Sequence, residues 1–280
     1  MLDFQLFRIR VLPLAQGDFF QAELARSEIL RRVVESLPSA EFRAGLTWHL
    51  GNLAAIDESG LYFRLGRISS SMVEIYDEEE GSFIDEEFET APYTHVILDV
   101  ELGVCAIAKK TRLSPTTKGI AQQFIRLLSE SAKATELRVT LEIDDLNDPE
   151  DFIIQLKEAY SISKFWISFS RPNAFDADED FVKPFQKMVE ASNSEKGKAE
   201  LKGQNLDSVA LEALARSAAA TGDDASAWLK RNQRSRLTRK QLKGNPVNVS
   251  QESVADENQQ KTLLDRVREL YQKIRGNGNA

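Results

Sequence analysis

The densest group of side chains able to bind phosphate lies between residues 230 and 243, where seven bases occur without an acid. The chain as a whole carries a net charge of −8, so this basic run stands against an acidic background. Lysine and arginine neutralise phosphates and release counterions, which favours salt-dependent binding to nucleic acid. The run therefore predicts a nucleic-acid-binding surface. Its bases are Lys230, Arg231, Arg234, Arg236, Arg239, Lys240 and Lys243.

The aromatic content of the basic run bears on the kind of nucleic acid. Trp228 is the one residue beside the run that is able to stack on a base, which gives little support to single-strand recognition. Contacts to phosphates carry little sequence information. We therefore expect sequence-tolerant binding to duplex DNA. Two other interpretations of the run are a solvated helix or arm starting near Ala227 and a segment that docks on an acidic protein surface.

An acidic segment, residues 77–89, mirrors the basic run with eight acids in thirteen residues and no base. Like charges at this density resist compact packing, which favours a solvated loop between two strands. A second interpretation is a regulatory loop that covers the basic run and competes with a polyanion. The acids are Asp77, Glu78, Glu79, Glu80, Asp85, Glu86, Glu87 and Glu89.

Asp99 and Glu101, followed by Lys109, are the best candidates for catalysis. Two carboxylates and a lysine around magnesium are typical of metal-dependent nucleases, because magnesium prefers oxygen ligands and the lysine steadies the attacking water. The sequence lacks the carboxylate-x-lysine step that accompanies such sites. A nuclease is therefore the third hypothesis, after DNA binding and after a protein-interaction or sensor subunit of a defence system that does not bind DNA.

Other reaction types lack their motifs. The sequence contains no GxSxG, HExxH, Walker A or GxGxxG pattern. The two histidines, His49 and His95, have no metal-ligand spacing, and the single cysteine, Cys105, excludes cysteine-rich zinc and iron–sulfur sites. We therefore predict a non-enzymatic protein with no catalytic residue, no metal and no cofactor.

Hydrophobic patterns in residues 1–110 predict a β-rich layer. The segment 4–14 alternates as a strand, with Leu6 and Ile9 on an apolar face and Arg8 and Arg10 on a wet face. A helix is predicted over 23–37, where Pro38 ends it. Further strands are predicted at 52–56, 61–68, 72–76, 94–100 and 104–109, and their even spacing indicates an antiparallel meander.

Residues 111–200 alternate between helical and strand patterns and form a second layer of the same domain. Helices are predicted to begin at Ser114-Pro115, at Asp148-Pro149 and at Phe181, with strands over 137–143 and 165–169. Residues 192–204 are polar with two glycines, which indicates a loop. The fold class that follows is α+β, with helices packed on a sheet.

Residues 201–280 are predicted to be a helical C-terminal region that includes the basic run. One helix runs from Asn205 to Ala220, and another ends the chain. The apolar stripe of the terminal helix has two interpretations, which are packing against its own domain and contact with a partner helix or with a second copy in a homodimer. The stripe consists of Leu263, Leu264, Val267, Leu270, Tyr271 and Ile274.

Composition favours a cytoplasmic protein. One cysteine gives no disulfide framework, so a reducing compartment is expected. The first residues, Met1-Leu2-Asp3-Phe4, do not resemble a signal peptide, and no apolar stretch is long enough for a membrane span. No membrane partner is therefore expected.

Residues 100–125 resemble the exclusion A proteins of lambdoid phages. The similarity is carried by Val100-Glu101, Ala108, Pro115-Thr116-Thr117 and Phe124-Ile125 and requires a one-residue gap. In this chain and in those proteins, two paired strands, the second of which contains small residues, are followed by a helix that starts at Pro-Thr-Thr. The resemblance implies a homodimer that binds DNA with little sequence preference in phage exclusion or defence. It offers no motif that matches the basic run.

Overall fold

The computed structural model describes residues 1–13, 24–170, 182–192, 194, 196–242 and 244–276. These residues form two antiparallel sheets and seven helices, which confirms the predicted α+β class. The strands are β1 (Leu2–Pro13), β2 (Ser39–Arg43), β3 (Leu46–Ala55), β4 (Gly60–Asp77), β5 (Ser82–Thr90), β6 (Tyr93–Asp99), β7 (Val104–Ala108), β8 (Val139–Asp145), β9 (Ser161–Ser170), β10 (Lys196–Lys202), β11 (Ala225–Lys230), β12 (Thr238–Gln241) and β13 (Asn248–Gln251). The helices are α1 (Arg26–Glu35), α2 (Thr117–Ser129), α3 (Ala132–Glu136), α4 (Glu150–Lys157), α5 (Val182–Ala191), α6 (Ser208–Thr221) and α7 (Glu257–Arg275).

The first sheet contains nine strands and includes the predicted N-terminal meander. Its order is β13-β1-β7-β6-β4-β3-β2, with β5 paired to β4 and β8 paired to β1. A separate hydrophobic core lies on each face. Helices α1, α2 and α3 cover one face, whereas α7 covers the other and packs in turn against α6. The central strands of the first sheet, β1, β7 and β6, are therefore buried on both sides.

Burial on both sides corrects the expectation of a wet face on β1. Arg8 is fully buried, where it donates to the carbonyl oxygen of Leu102 and lies 5.4 Å from the centroid of the Tyr271 ring. Arg10 is also buried and forms ion pairs of 2.6 Å with Asp144 and 3.1 Å with Glu142. Two buried arginines are acceptable in this strand because acceptors and an aromatic ring replace their water.

The second sheet has the order β10-β9-β11-β12, and α5 and α6 pack on one of its faces. Phe165, Ile167 and Phe169 of β9 point toward these helices and are buried, and the Phe169 ring stacks on Phe185 of α5 at 4.8 Å. The packing order of the molecule is thus a helical layer, the first sheet, a helical layer and the second sheet.

The chain leaves the first sheet for the second and returns to it at the same place. Leu146, just after β8, donates to the carbonyl oxygen of Leu6, and Leu6 donates to the carbonyl oxygen of Val247, just before β13. A Cβ on Gly244 would lie 2.1 Å from the backbone oxygen of Asp148, so only glycine fits where the outgoing and returning segments cross. Residues 148–245 are therefore an insertion whose two ends meet beside β1.

A network around Arg268 fastens α7 to the first sheet. Its guanidinium makes a two-pronged contact with Asp57, at 2.8 and 3.0 Å, and donates to Asp99 at 2.7 Å and to the Ser59 hydroxyl at 2.7 Å. Asp99 is only 2% exposed, which makes this a largely desolvated ion pair. Loss of one partner from such a pair leaves a buried charge uncompensated.

We expect the substitution Arg268→Met to lower the free energy of unfolding by about 3 kcal/mol, because Asp99 loses its counter-charge in a buried position. Chemical denaturation measured by circular dichroism checks this value. Arg266→Met on the exposed side of the same helix is the control and should cost less than about 1 kcal/mol. Equal effects of the two substitutions would contradict a special role for Arg268.

The same network predicts a pH dependence. The hydrogen bond from Arg268 is the main reason why the pKa of Asp57 lies below its usual range. A lowered pKa in the folded state means that the contribution of Asp57 is present above the ordinary aspartate value of about 4 and is lost as the pH falls below it. The difference in unfolding free energy between the wild type and Asp57→Asn should therefore be about 2 kcal/mol at neutral pH and shrink toward pH 3. A difference that stays constant over this range would contradict the assignment.

Candidate nucleic-acid interface

The basic run forms a β-hairpin, and this corrects the interpretation of residues from Ala227 onward as a helix. Strand β11 buries Ala225, Ala227 and Leu229 on one side, so its period is two residues and its hydrophobic positions cannot serve one helical face. Between β11 and β12, the Asn232 side chain accepts from the backbone N–H of Arg234, which stabilises the turn. The C-terminal region predicted as helical therefore also contains β11, β12 and β13.

The bases of the run point in different directions. Lys230 and Arg239 lie on the face of the second sheet that is opposite α5 and α6, whereas Lys240 pairs with Ala227 and points to the other side. The turn carries Arg231, Arg234 and Arg236, which are exposed and have no ion pair with any described residue. Lys243 lies outside the described residues.

The face opposite the helices combines tryptophans with bases from all four strands. In the pairing of β9 with β11, Trp228 lies opposite Lys164 and Ser226 opposite Trp166. Strand β12 brings Arg239 opposite Trp228, and the alternation of β10 brings Lys198 and Lys202 to the same side. We call this surface the basic-aromatic face. Its residues are Lys164, Trp166, Lys198, Lys202, Trp228, Lys230 and Arg239.

Cations lie over both indole rings of the basic-aromatic face. The Arg239 guanidinium is 5.5 Å from the ring centroid of Trp166 and 5.0 Å from that of Trp228, so it bridges the two. The Lys198 ammonium lies 4.1 Å from the Trp166 ring, and the Lys164 ammonium lies 4.7 Å from the Trp228 ring. These contacts hold the rings in defined positions while Lys198 and Arg239 stay exposed to solvent.

One acid, Glu200, lies on the same side of β10. It forms ion pairs of 2.6 Å with Lys164 and 3.0 Å with Lys202, and hydrogen bonds from these lysines lower its pKa. Glu200 is therefore a carboxylate at neutral pH. The bases still outnumber the acid, so the surface as a whole attracts anions.

The acidic segment is a strand and a turn, which corrects its interpretation as a solvated loop. Residues 69–77 of β4 pair with residues 82–90 of β5, and we call this two-stranded hairpin the acidic ribbon. Asp85, Glu86, Glu87 and Glu89 lie in β5, while Glu78, Glu79 and Glu80 occupy the turn that follows Asp77. No hydrogen bond or ion pair between described residues links the ribbon to the basic run.

The three residues of the nuclease hypothesis do not form a metal site. Asp99 already accepts hydrogen bonds from Arg268, from Ser59 and from the backbone N–H groups of Glu101 and Leu102, which leaves it buried and occupied. Glu101 and Lys109 are exposed. Within the described part of the chain, no group of three potential ligands is close enough together to hold a metal.

The histidines and the cysteine have structural environments. His95 contacts the Tyr62 hydroxyl at 2.8 Å, and burial is the main reason why its pKa is lowered, with further contributions from Arg64 and Lys110. Cys105 is completely buried, which raises the pKa of its thiol and leaves it unreactive. His49 lies in β3 opposite Gly66 of β4.

The apolar stripe of the terminal helix is buried in the protein's own core. Leu263, Leu264, Val267 and Tyr271 are almost inaccessible to solvent, and Ile274 is buried, while Leu270 is partly buried. This is the first of the two interpretations of the stripe. The five buried side chains are covered by the protein's own core, so they do not support the second interpretation, a contact with a partner helix or a second copy.

Sequence patterns alone missed Trp166 and the bases of β9 and β10. The signal was present as a period of two, since Lys164, Trp166 and Ser168 alternate with buried residues. In the segment predicted as a loop, Lys196, Lys198, Glu200 and Lys202 alternate in the same way. What no local pattern contains is the pairing that places Trp166 next to Trp228, sixty-two positions further along the chain.

No protein-family model matches the sequence, and no curated protein matches it. Among the described helices, none has the length and apolar content needed to cross a bilayer.

The arrangement of the basic-aromatic face can be checked without a ligand. We expect Arg239→Ala to increase acrylamide quenching of the tryptophan fluorescence, because Arg239 shields both Trp166 and Trp228. Trp48 is buried, so acrylamide quenches its fluorescence little in either variant. Arg236→Ala, in the exposed turn, removes the same charge and is the matched control. Identical quenching in the two variants would contradict the bridging position of Arg239.

Proposed function

We propose that the protein binds nucleic acid on the basic-aromatic face without catalysing a reaction, and that its preferred ligand is a single strand. The observation that supports this proposal is the placement of Trp166 and Trp228 on one face of the second sheet, interleaved with lysines and an arginine. Proteins that bind single strands combine aromatic side chains, which stack on the nucleobases, with lysines and arginines, which follow the phosphate backbone.

The lysine and arginine side chains of the basic-aromatic face can move aside and leave room for a nucleobase on the indole rings. The ammonium of Lys198 lies over Trp166 at the end of a flexible side chain and can move to a phosphate when a nucleobase takes its place on the ring. Arg239 is planar, so it can stack beside a base and contact a phosphate as well. Stacking is sequence-tolerant, which agrees with the expectation of little sequence preference.

Duplex DNA is the second candidate ligand, and the hairpin turn supports it. Arg231, Arg234 and Arg236 are exposed in the turn that joins β11 and β12 at one end of the second sheet, where they can contact the phosphates of a duplex. In this mode the turn contacts the duplex and the tryptophans contribute little. The setting of phage exclusion or defence is also part of the proposal and is supported by the resemblance of residues 100–125 alone.

Anisotropy titrations with a labelled single strand and with the matching duplex test the choice of ligand. We expect tighter binding to the single strand, and we expect Trp166→Ala and Trp228→Ala each to weaken it about tenfold, since stacking contributes about 1–3 kcal/mol per base. Affinity should also fall steeply with salt. Tyr93→Ser, which removes an exposed aromatic ring from β6 of the first sheet, should leave binding unchanged.

The outcome that favours the second candidate is equally specific. Tighter binding to the duplex, insensitivity to both tryptophan substitutions and loss of binding in a variant with Arg231, Arg234 and Arg236 all changed to Ala would assign the ligand to the turn. Absence of binding to either ligand at low salt would contradict nucleic-acid binding altogether and favour a protein-interaction subunit.

A further inference from the structure

The acidic ribbon exposes large apolar side chains in addition to its acids. Phe83 is 82% exposed, Met72 63% and Tyr76 53%, and Val73 and Phe88 are also exposed. Beyond Gly66 the strand β4 leaves its pairing with β6, and β5 pairs with β4 alone among the described strands. Two-stranded hairpins are marginally stable in water, and a cluster of exposed apolar residues marks an interaction site.

Apolar and acidic residues share one side of the ribbon. The pairing of Met72 with Glu87, of Glu74 with Asp85 and of Tyr76 with Phe83 places all six side chains on the same face, because residues two apart in a strand point the same way. The rings of Tyr76 and Phe83 meet edge to face at 5.1 Å. This side of the ribbon therefore offers an aromatic pair surrounded by carboxylates.

The basic-aromatic face has the complementary composition. It offers two indole rings surrounded by lysines and an arginine, where the ribbon offers two rings surrounded by carboxylates. The two surfaces belong to different sheets, and no hydrogen bond, ion pair or ring contact between described residues joins them. We propose that the acidic ribbon of one molecule docks on the basic-aromatic face of a second copy.

The contact joins two different surfaces. Each copy carries one ribbon and one basic-aromatic face, so a single contact leaves one ribbon and one face unused, and a reciprocal second contact closes two copies into a twofold dimer. Contacts that are not reciprocal lead instead to larger rings or to open chains as the concentration rises. Because the attraction is between exposed charges, salt weakens it.

The association also has a consequence for ligand binding, and this consequence rests on the proposed function. A docked ribbon occupies the face that a single strand would use, so nucleic acid and the second copy compete. Self-association itself requires no nucleic acid. Its measurement on the purified protein therefore fails or succeeds independently of the proposed function.

Light scattering coupled to size exclusion tests the proposal on the full chain. We expect the wild type to show a mass that grows with concentration at low salt and falls to that of one chain at high salt. The ribbon-reversed variant, with Glu74→Lys, Asp85→Lys and Glu87→Lys, should associate about a hundredfold more weakly, because like charges then face each other. A wild type that stays a single chain at every concentration at low salt overturns the proposal.

Two controls separate the ribbon from net charge. The first variant changes three exposed acids elsewhere, with Glu101→Lys, Glu252→Lys and Glu269→Lys, and so alters net charge by the same amount. It should associate at least as strongly as the wild type. If it loses association as the ribbon-reversed variant does, net charge rather than docking is responsible and the proposal is overturned.

The second control restores the contact. A face-reversed variant, with Lys198→Glu, Lys202→Glu and Arg239→Glu, should not associate with itself, because its face repels the native ribbon. Mixed with the ribbon-reversed variant it should form complexes, since each ribbon then meets a face of opposite charge. Circular dichroism of both variants checks that they fold, and a folded pair that fails to combine overturns the proposal.

Discussion

The ion pair between Arg268 and the two aspartates, Asp57 and Asp99, is the contact on which the rest of the architecture depends. It fixes α7 on the first sheet, and Leu264 of α7 reaches so close to the sheet that a Cβ on Gly60 would lie 2.2 Å from it. Helix α6 packs on α7, and the second sheet packs on α6. The ion pairs of Arg268, which is only partly buried, therefore help to set the position of the basic-aromatic face two layers away.

Much of the fold follows from local sequence patterns. The meander, the helix after Pro115 and the stripe of α7 all have periodic apolar residues, and periodicity reports burial directly. The errors occur where charge dominates. Residues 230–243 and 77–89 contain few apolar residues, so their period of two is hidden, although both form strands in which only one side or neither is buried. Arg8 and Arg10 were predicted to lie on a wet face because buried arginines are rare. The groups that make their burial possible come from distant segments of the chain.

The candidate site was less predictable than the fold for a physical reason. A run of bases can be counted along the chain, but a surface is assembled by strand pairing. Trp166 and Trp228 are neighbours only because β9 and β11 pair, and Asp99 is unavailable to a metal only because α7 returns to it from the other end of the sequence. Counting local charge therefore identified the part of this surface that lies near Trp228, and it missed Trp166 and the lysines of β9 and β10.

The insertion that carries the second sheet has its two ends side by side at Leu6 of β1. Exchange of such a segment in evolution requires no rearrangement of the strands that flank it, because entry and exit occupy one point on the frame. The first sheet with α1, α2, α3 and α7 then acts as a constant frame, and residues 148–245 as a cassette. Relatives of this chain are accordingly expected to differ most in the cassette, with altered ligand preference on a preserved frame.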